Sequence, residues 1–149
     1  MQRALVVIED TDAHRELLRE AGELAAGAGA DLVVLMMEGL EEIHESRDQF
    51  AASEGVTYSD EEVLEAGKEF VADFAEDVLA GVDVEYTAET AIVGTGGAAD
   101  EAIATAEAHD CDHVFIVGQK RSPTGKALFG DMAQAVILNF DGPVTIRTS

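Results

Sequence analysis

Apolar runs of strand length alternate along this chain with stretches that set apolar residues three and four apart. That alternation restricts it to a mostly parallel sheet with helices on both faces. The runs are Ala4 to Ile8, Asp31 to Met37, Val82 to Val93, His113 to Val117 and Val144 to Thr148. After the first, Asp10, Thr11 and Asp12 offer N-caps for a helix whose stripe is Leu17, Leu18, Ala21, Leu24, Ala25 and Ala28, stopped by Gly27 and Gly29. A long helix starts near Asp60 and carries Val63, Gly67, Phe70, Val71, Phe74 and Val78 to a stop at Gly81. Gly94-Thr-Gly-Gly97 opens a third helix with Ala99, Ala102, Ile103 and Ala106, and a last helix from Met132 to Phe140 carries Ala133, Val136 and Ile137. From Glu38 to Ser59 the pattern weakens into a loop with a short helical excursion near Glu41 to Phe50. The expectation for the 149 residues is one domain of five strands and four helices.

Charge narrows the setting. Thirty-one Asp and Glu stand against nine Lys and Arg, a formal net charge of −22. A mean hydropathy of +0.05 and the apolar periodicity put that acid on the surface of a folded domain. Self-repelling carboxylates are best tolerated at high salt, since near 1 M the Debye length falls to roughly 3 Å. A halophile-type cytoplasmic protein is therefore expected, one that binds neither nucleic acid nor membrane. The absence of a signal-peptide pattern and of an apolar run near 18 residues leads to the expectation that the chain is neither exported nor membrane-spanning. Cys111 is the only cysteine, so there is no intrachain disulfide, and its neighbours Asp110 and Asp112 disfavour a reactive thiolate.

Against this background one segment is basic. Gly118-Gln-Lys-Arg-Ser-Pro-Thr-Gly-Lys-Ala-Leu-Phe-Gly130 holds Lys120, Arg121 and Lys126, with no Asp or Glu between Asp112 and Asp131. Lying between a strand and a helix N-terminus, such a loop can hold an anion with backbone N–H groups, the positive helix end and fixed cations. Scattered balancing charges would not need Gly118, Gly125 and Gly130 between them. Ligands of open parallel sheets gather at the carboxyl ends of the strands where the order reverses, which places the crevice between Glu9-Asp10 and the Gly118 loop.

Several chemistries lack their residues. The loop is not a Walker A motif, because Ala127 follows Lys126 where a Ser or Thr is needed for Mg²⁺. The first strand ends in Glu9-Asp-Thr-Asp-Ala, without the glycines of a dinucleotide fingerprint. His14, His44, His109 and His113 are neither four apart nor clustered with cysteine, and read as surface or packing residues. No G-x-S-x-G elbow supports a hydrolase triad.

The set of segments resembles the universal stress protein family over nearly the whole chain. The pieces that carry it are Ala4-Leu-Val-Val-Ile-Glu-Asp10, Val34-Leu-Met-Met37, Gly97-Ala-Ala-Asp-Glu-Ala-Ile103, Cys111-Asp-His-Val-Phe-Ile-Val-Gly118, the basic loop to Gly130, and Gly142-Pro-Val-Thr-Ile-Arg147. The resemblance implies an open five-stranded parallel sheet ordered 3-2-1-4-5, of Rossmann-like adenine-nucleotide-binding type. It also implies a homodimer paired through the last strand, Val144 to Thr148. ATP-binding members carry G-x2-G-x9-G-[ST] after strand four and an acidic residue ending strand one. Gly118 and Gly130 match the outer glycines with a spacing one residue short, Arg121 replaces the middle glycine, and Asp131 replaces the Ser or Thr.

By this resemblance ATP or AMP lies with its base near Glu9 and Met37 and its phosphates against Gly118, Lys120, Arg121, Gly125, Lys126 and Gly130. Mg²⁺ would bridge Asp131 to the phosphates. Asp131 is otherwise expected to cap the last helix. The alternative is a dimeric interaction module of the same fold that binds no nucleotide, and a slow ATPase is a third reading.

Overall fold

The computed structural model describes residues 1–39, 45, 48–49, 51–53, 55, 58–119 and 130–149. Strand β1 (Arg3–Ile8) is the centre of the sheet, and Ala4 to Ile8 are all buried, as a strand covered on both faces requires. It pairs in parallel with β2 (Asp31–Gly39), with Ile8 opposite Met36, and with β4 (His113–Gly118), with Val6 opposite Phe115. Strand β3 (Tyr86–Val93) adds outside β2, and β5 (Val144–Thr148) outside β4. The order is β3-β2-β1-β4-β5, all parallel, and the direction of strand addition reverses beside β1.

Alternation along β1 divides the core in two. Ala4, Val6 and Ile8 face α1 (Asp12–Ala28) and α2 (Asp60–Val78), where Leu17, Leu18, Phe74 and Leu79 join Phe115. Leu5 and Val7 face α3 (Ala98–Ala108) and α4 (Asp131–Asn139), whose contribution is Ala99, Ala102, Ala106, Ala133 and Val136. One layer is thus filled by large helix side chains and the other by alanines.

The buried face of α1 differs from the expected stripe. Leu24 is 53% exposed and Ala28 is also exposed, whereas His14 and Gly22 are buried. Gly29 (φ 69°) closes the helix in the left-handed region, as read from the sequence. In α2, Phe70 is exposed while Val71, Phe74, Ala75 and Val78 carry the contact, and in α4 Ile137 is exposed. Gly67 costs α2 some helix propensity, but its missing side chain lets Thr90 of β3 come close. A Cβ there would stand 2.9 Å from Thr90 Cγ2, and Thr90 donates to the Leu64 carbonyl at 2.9 Å.

Strand β3 begins at Tyr86 rather than Val82. Gly81 (φ 81°) turns the chain, the Val82 N–H returns to the Leu79 carbonyl (2.9 Å), and that turn consumes the expected first residues of the strand. Most of the expected excursion at Glu41 to Phe50 lies outside the described residues; Glu45, Asp48 and Gln49 are helical. No described helix is long and apolar enough to cross a membrane.

At the amino end of the sheet Asp112 accepts the Gln2 N–H (3.0 Å) and the Arg3 N–H (3.4 Å). Desolvation opposes the charged form of Asp112, but these hydrogen bonds and the N-terminal amino group outweigh it and hold the carboxyl below the usual range. Beside it Cys111 is buried, and burial, with Asp112 and Asp110 against Arg3, pushes its thiol up to about 11. The sheet edges carry charge: Glu89 of β3 lies between Lys68 (3.7 Å) and His109 (3.6 Å). Arg147 of β5 pairs with Glu16 and, at 3.2 Å, with Glu20 of α1.

Candidate functional site

Each parallel strand delivers the chain to the carboxyl edge of the sheet, and the helix that follows starts there. How each helix is capped decides what that edge offers. Thr11, the N-cap of α1, accepts the His14 N–H at 3.1 Å, and Ser59 forms a capping box with Glu62 on α2. The caps of α3 and α4 are Gly97 and Gly130, and neither supplies a side-chain hydrogen bond. Asp131 is therefore not the N-cap expected from the sequence. It is the first residue of α4 and lies in the first turn, where a carboxylate still suits the positive helix end.

Among the described residues two hollows open at this edge. On the α1/α2 face a groove of about 550 Å³ runs past Met36, Gly67, Phe70 and Thr90 to Glu9 and Asp10. A smaller, more enclosed cavity of about 180 Å³ straddles the tip of the sheet: Met37, Val93 and Met132 wall it from the α3/α4 side, Val117 and His14 from the α1 side, and Glu9 borders it. This second cavity sits where the strand order reverses, between the tips of β1 and β4.

The sequence-derived site residues divide as follows. Glu9 follows β1, is exposed, and borders both hollows, as does half-buried Met37. Gly118 ends β4 and is buried, its carbonyl accepting the Ser149 N–H at 3.1 Å. Gly130 is the N-cap of α4, two residues before Met132. Gly118 thus follows Val117 directly and Gly130 precedes Met132 by two, Val117 and Met132 being walls of the smaller cavity. Lys120, Arg121, Gly125 and Lys126 lie outside the described residues. The Gly94-Gly97 turn is partly closed on itself, because the Gly97 N–H donates to the Gly94 carbonyl at 3.2 Å, so that donor does not reach a ligand.

His14 is the residue that sequence reasoning undervalued. It is a packing residue, 8% exposed, yet its ring also enters the cavity. Nδ1 lies 2.6 Å from Thr11 Oγ1 and Nε2 lies 3.6 Å from Glu9 Oε2. Burial pushes the imidazole below its ordinary pKa, against the pull of Glu9, so it is neutral at pH 7. The signal was present in the spacing: the third residue of a helix sits over its N-cap, and that cap follows Glu9 by two. No cluster of three or more metal-ligating side chains forms among the described residues.

Comparison with known proteins agrees with this fold. A family model described as "Universal stress protein family" matches residues 1–147. A universal stress protein from Archaeoglobus fulgidus is 25% identical, with a TM-score of 0.64 and 98% of each chain covered. The protein solved as a universal stress protein from Archaeoglobus fulgidus in complex with dAMP gives 19% identity, a TM-score of 0.61, and 98% and 97% coverage of this chain and that one. A universal stress protein in complex with cAMP gives 17%, 0.59, 99% and 96%. No curated protein matches the chain. With the sheet order 3-2-1-4-5 in place and the family model spanning 147 positions, the chain belongs to the universal stress protein family.

Proposed function

We propose that this chain is a regulatory protein that binds an adenine nucleotide, ATP or AMP, with little or no turnover. One observation carries the reading: a cavity lies between the tips of β1 and β4, beside two helices whose N-cap residues, Gly97 and Gly130, bring no side chain to the helix end. Similar folds solved with dAMP and cAMP support the ligand class. The base rests near Glu9 and Met37, and the phosphates extend toward Gly118 and Gly130. Lys120, Arg121, Gly125 and Lys126 stand between those two glycines in the sequence and provide cations and backbone donors for the phosphates. Asp131 suits a Mg²⁺ bridge, since that ion takes one or two carboxylates together with phosphates and water. Pairing β5 with its twin in a homodimer covers an edge strand that within the chain has β4 as its one partner.

Isothermal titration with ATP and AMP, in molar KCl with Mg²⁺ to screen the net charge of −22, tests the reading. Binding heat is expected, at least tenfold weaker for Lys126→Ala. Silence with both nucleotides, in the natural chain and the variant alike, removes it.

The second reading is the interaction module that binds no nucleotide, and Asp131 favours it. At an effective dielectric of about 20, a carboxylate roughly 4 Å from a phosphate charge costs on the order of 4 kcal/mol. Asp131→Ser discriminates: ATP binding that appears only in the variant selects the interaction module.

A further inference from the structure

The close approach of α2 to β3 has a consequence at the outer edge of the sheet. Lys68 follows Gly67, the position that Thr90 crowds, so its stem starts beside β3 on the α1/α2 face. Its ammonium lies 3.7 Å from Glu89 Oε2. That carboxylate is on the other face of the sheet. Successive side chains of a strand alternate, and since Thr90 points to α2, Glu89 points with Ala91 to the α3/α4 layer. There its Oε1 lies 3.6 Å from Nε2 of His109, the C-cap of α3. With β2 closing the inner side of β3, Lys68 reaches Glu89 only around the outside. A lysine stem therefore crosses the middle of an edge strand.

That edge is a template for pairing. The Leu32 N–H donates to the Glu85 carbonyl at 2.9 Å, so in the parallel ladder Thr87, Glu89 and Ala91 turn their backbone groups toward β2. The N–H and C=O groups of Tyr86, Ala88, Thr90 and Ile92 consequently face outward. β3 has eight residues, no proline and Glu89 as its one charge, and no strand lies outside it among the described residues. Tyr86 and Ala88 continue one core layer and Ala91 the other, so a strand added here must be small or apolar on both faces. The same strand of another copy meets that demand and matches its length.

We propose that the outer edge of β3 is a pairing surface for a second copy of this chain, and that Lys68, strapped across it to Glu89, keeps it closed. With β5 paired in the homodimer proposed above, an open β3 would give each chain two pairing edges, and copies would add without closure. An ion pair this exposed adds little to folding stability, so the strap acts on association rather than on the fold. Nucleotide binding plays no part in it.

Light scattering in molar KCl, which screens the net charge of −22, tests the strap. At equal concentration Lys68→Ala is expected to roughly double the mean mass of the natural protein, although it makes the chain more acidic. Amide hydrogen exchange over residues 86–92 is expected to slow about tenfold in that variant. Glu89→Gln releases the same lysine from its other end and is expected to associate likewise, whereas Lys68→Arg, still able to span to the carboxylate, is expected to keep the natural mass. Natural mass in both Lys68→Ala and Glu89→Gln overturns the proposal. So does growth in mass without slower exchange at 86–92, which puts the contact elsewhere, and so does association of Lys68→Arg equal to that of Lys68→Ala. The natural protein supplies a test of its own: nuclear Overhauser contacts between the Lys68 Cε and Glu89 Cγ protons are expected, and their absence overturns the strap.

Discussion

The two faces of the sheet are built differently. On the α1/α2 face the helices insert Leu17, Leu18, Phe74 and Leu79, and both begin at side-chain caps, Thr11 and Ser59. On the α3/α4 face they insert mainly alanines and begin at Gly97 and Gly130. Large apolar side chains and satisfied helix ends stabilise, whereas small side chains bring a helix close and glycine caps leave donors for a ligand. By the proposed reading, the α1/α2 face contributes most of the stability and the starts of α3 and α4 contribute to binding at the sheet tip. The larger groove lies on the α1/α2 face, away from the proposed site.

The greatest effect expected on either face is loss of Phe74. Phe74→Ala should lower unfolding free energy by about 3–5 kcal/mol in urea titrations, and a loss below about 1 kcal/mol would mean that this face does not dominate. Cys111 belongs to the alanine-rich core, and a thiol at about 11 carries roughly 100-fold less thiolate at pH 8 than one at the ordinary 9.0. Iodoacetamide should therefore label the native protein far more slowly than the protein in urea. Equal rates would show that the α3/α4 layer opens freely.

Thr11→Ala removes the cap of α1 and should cost about 1 kcal/mol. Ala102→Gly on the opposite face should cost roughly 0.5–1 kcal/mol through backbone entropy alone. The smallest stability effect sharpens the contrast most. Gly130 has φ −63° and ψ 163°, a conformation open to any residue, and a Cβ there meets nothing within 4 Å among the described residues. Gly130→Ser should stabilise α4 by a few tenths of a kcal/mol and weaken nucleotide binding several-fold, because the new hydroxyl takes the N–H groups left for the ligand. Unchanged affinity would show that those donors play no part.

The strands and the helix starts were legible because burial on both faces writes continuous apolar runs, and Ser, Thr and Gly mark the ends. Facing was less legible. Leu24 keeps the helical period of α1 yet projects beyond the sheet, while His14, polar by type, is covered because the first turn lies over the tip of β1. Gly67 read as one more position of an apolar stripe, and its reason, the approach of Thr90, depends on a strand more than twenty residues away. Glu9 and Gly118 were expected at the crevice from the position of strand ends, Gly130 from the glycine-bounded basic loop, and Met37 from the family resemblance. His14 was passed over because a lone polar residue in a first turn gives no sign of the contacts with Thr11 and Glu9 that the fold supplies.

Methionines on opposite faces provide the most direct test of where the ligand sits. Met36 borders the groove on the α1/α2 face, and Met132 lines the smaller cavity at the sheet tip from the other face. With methionine methyl groups labelled for NMR and AMP titrated in molar KCl, the resonances of Met132 and Met37 should shift while those of Met36 and Met1 stay in place. A shift confined to Met36, or none at any of the four under saturating AMP, would contradict the placement of binding at the sheet tip.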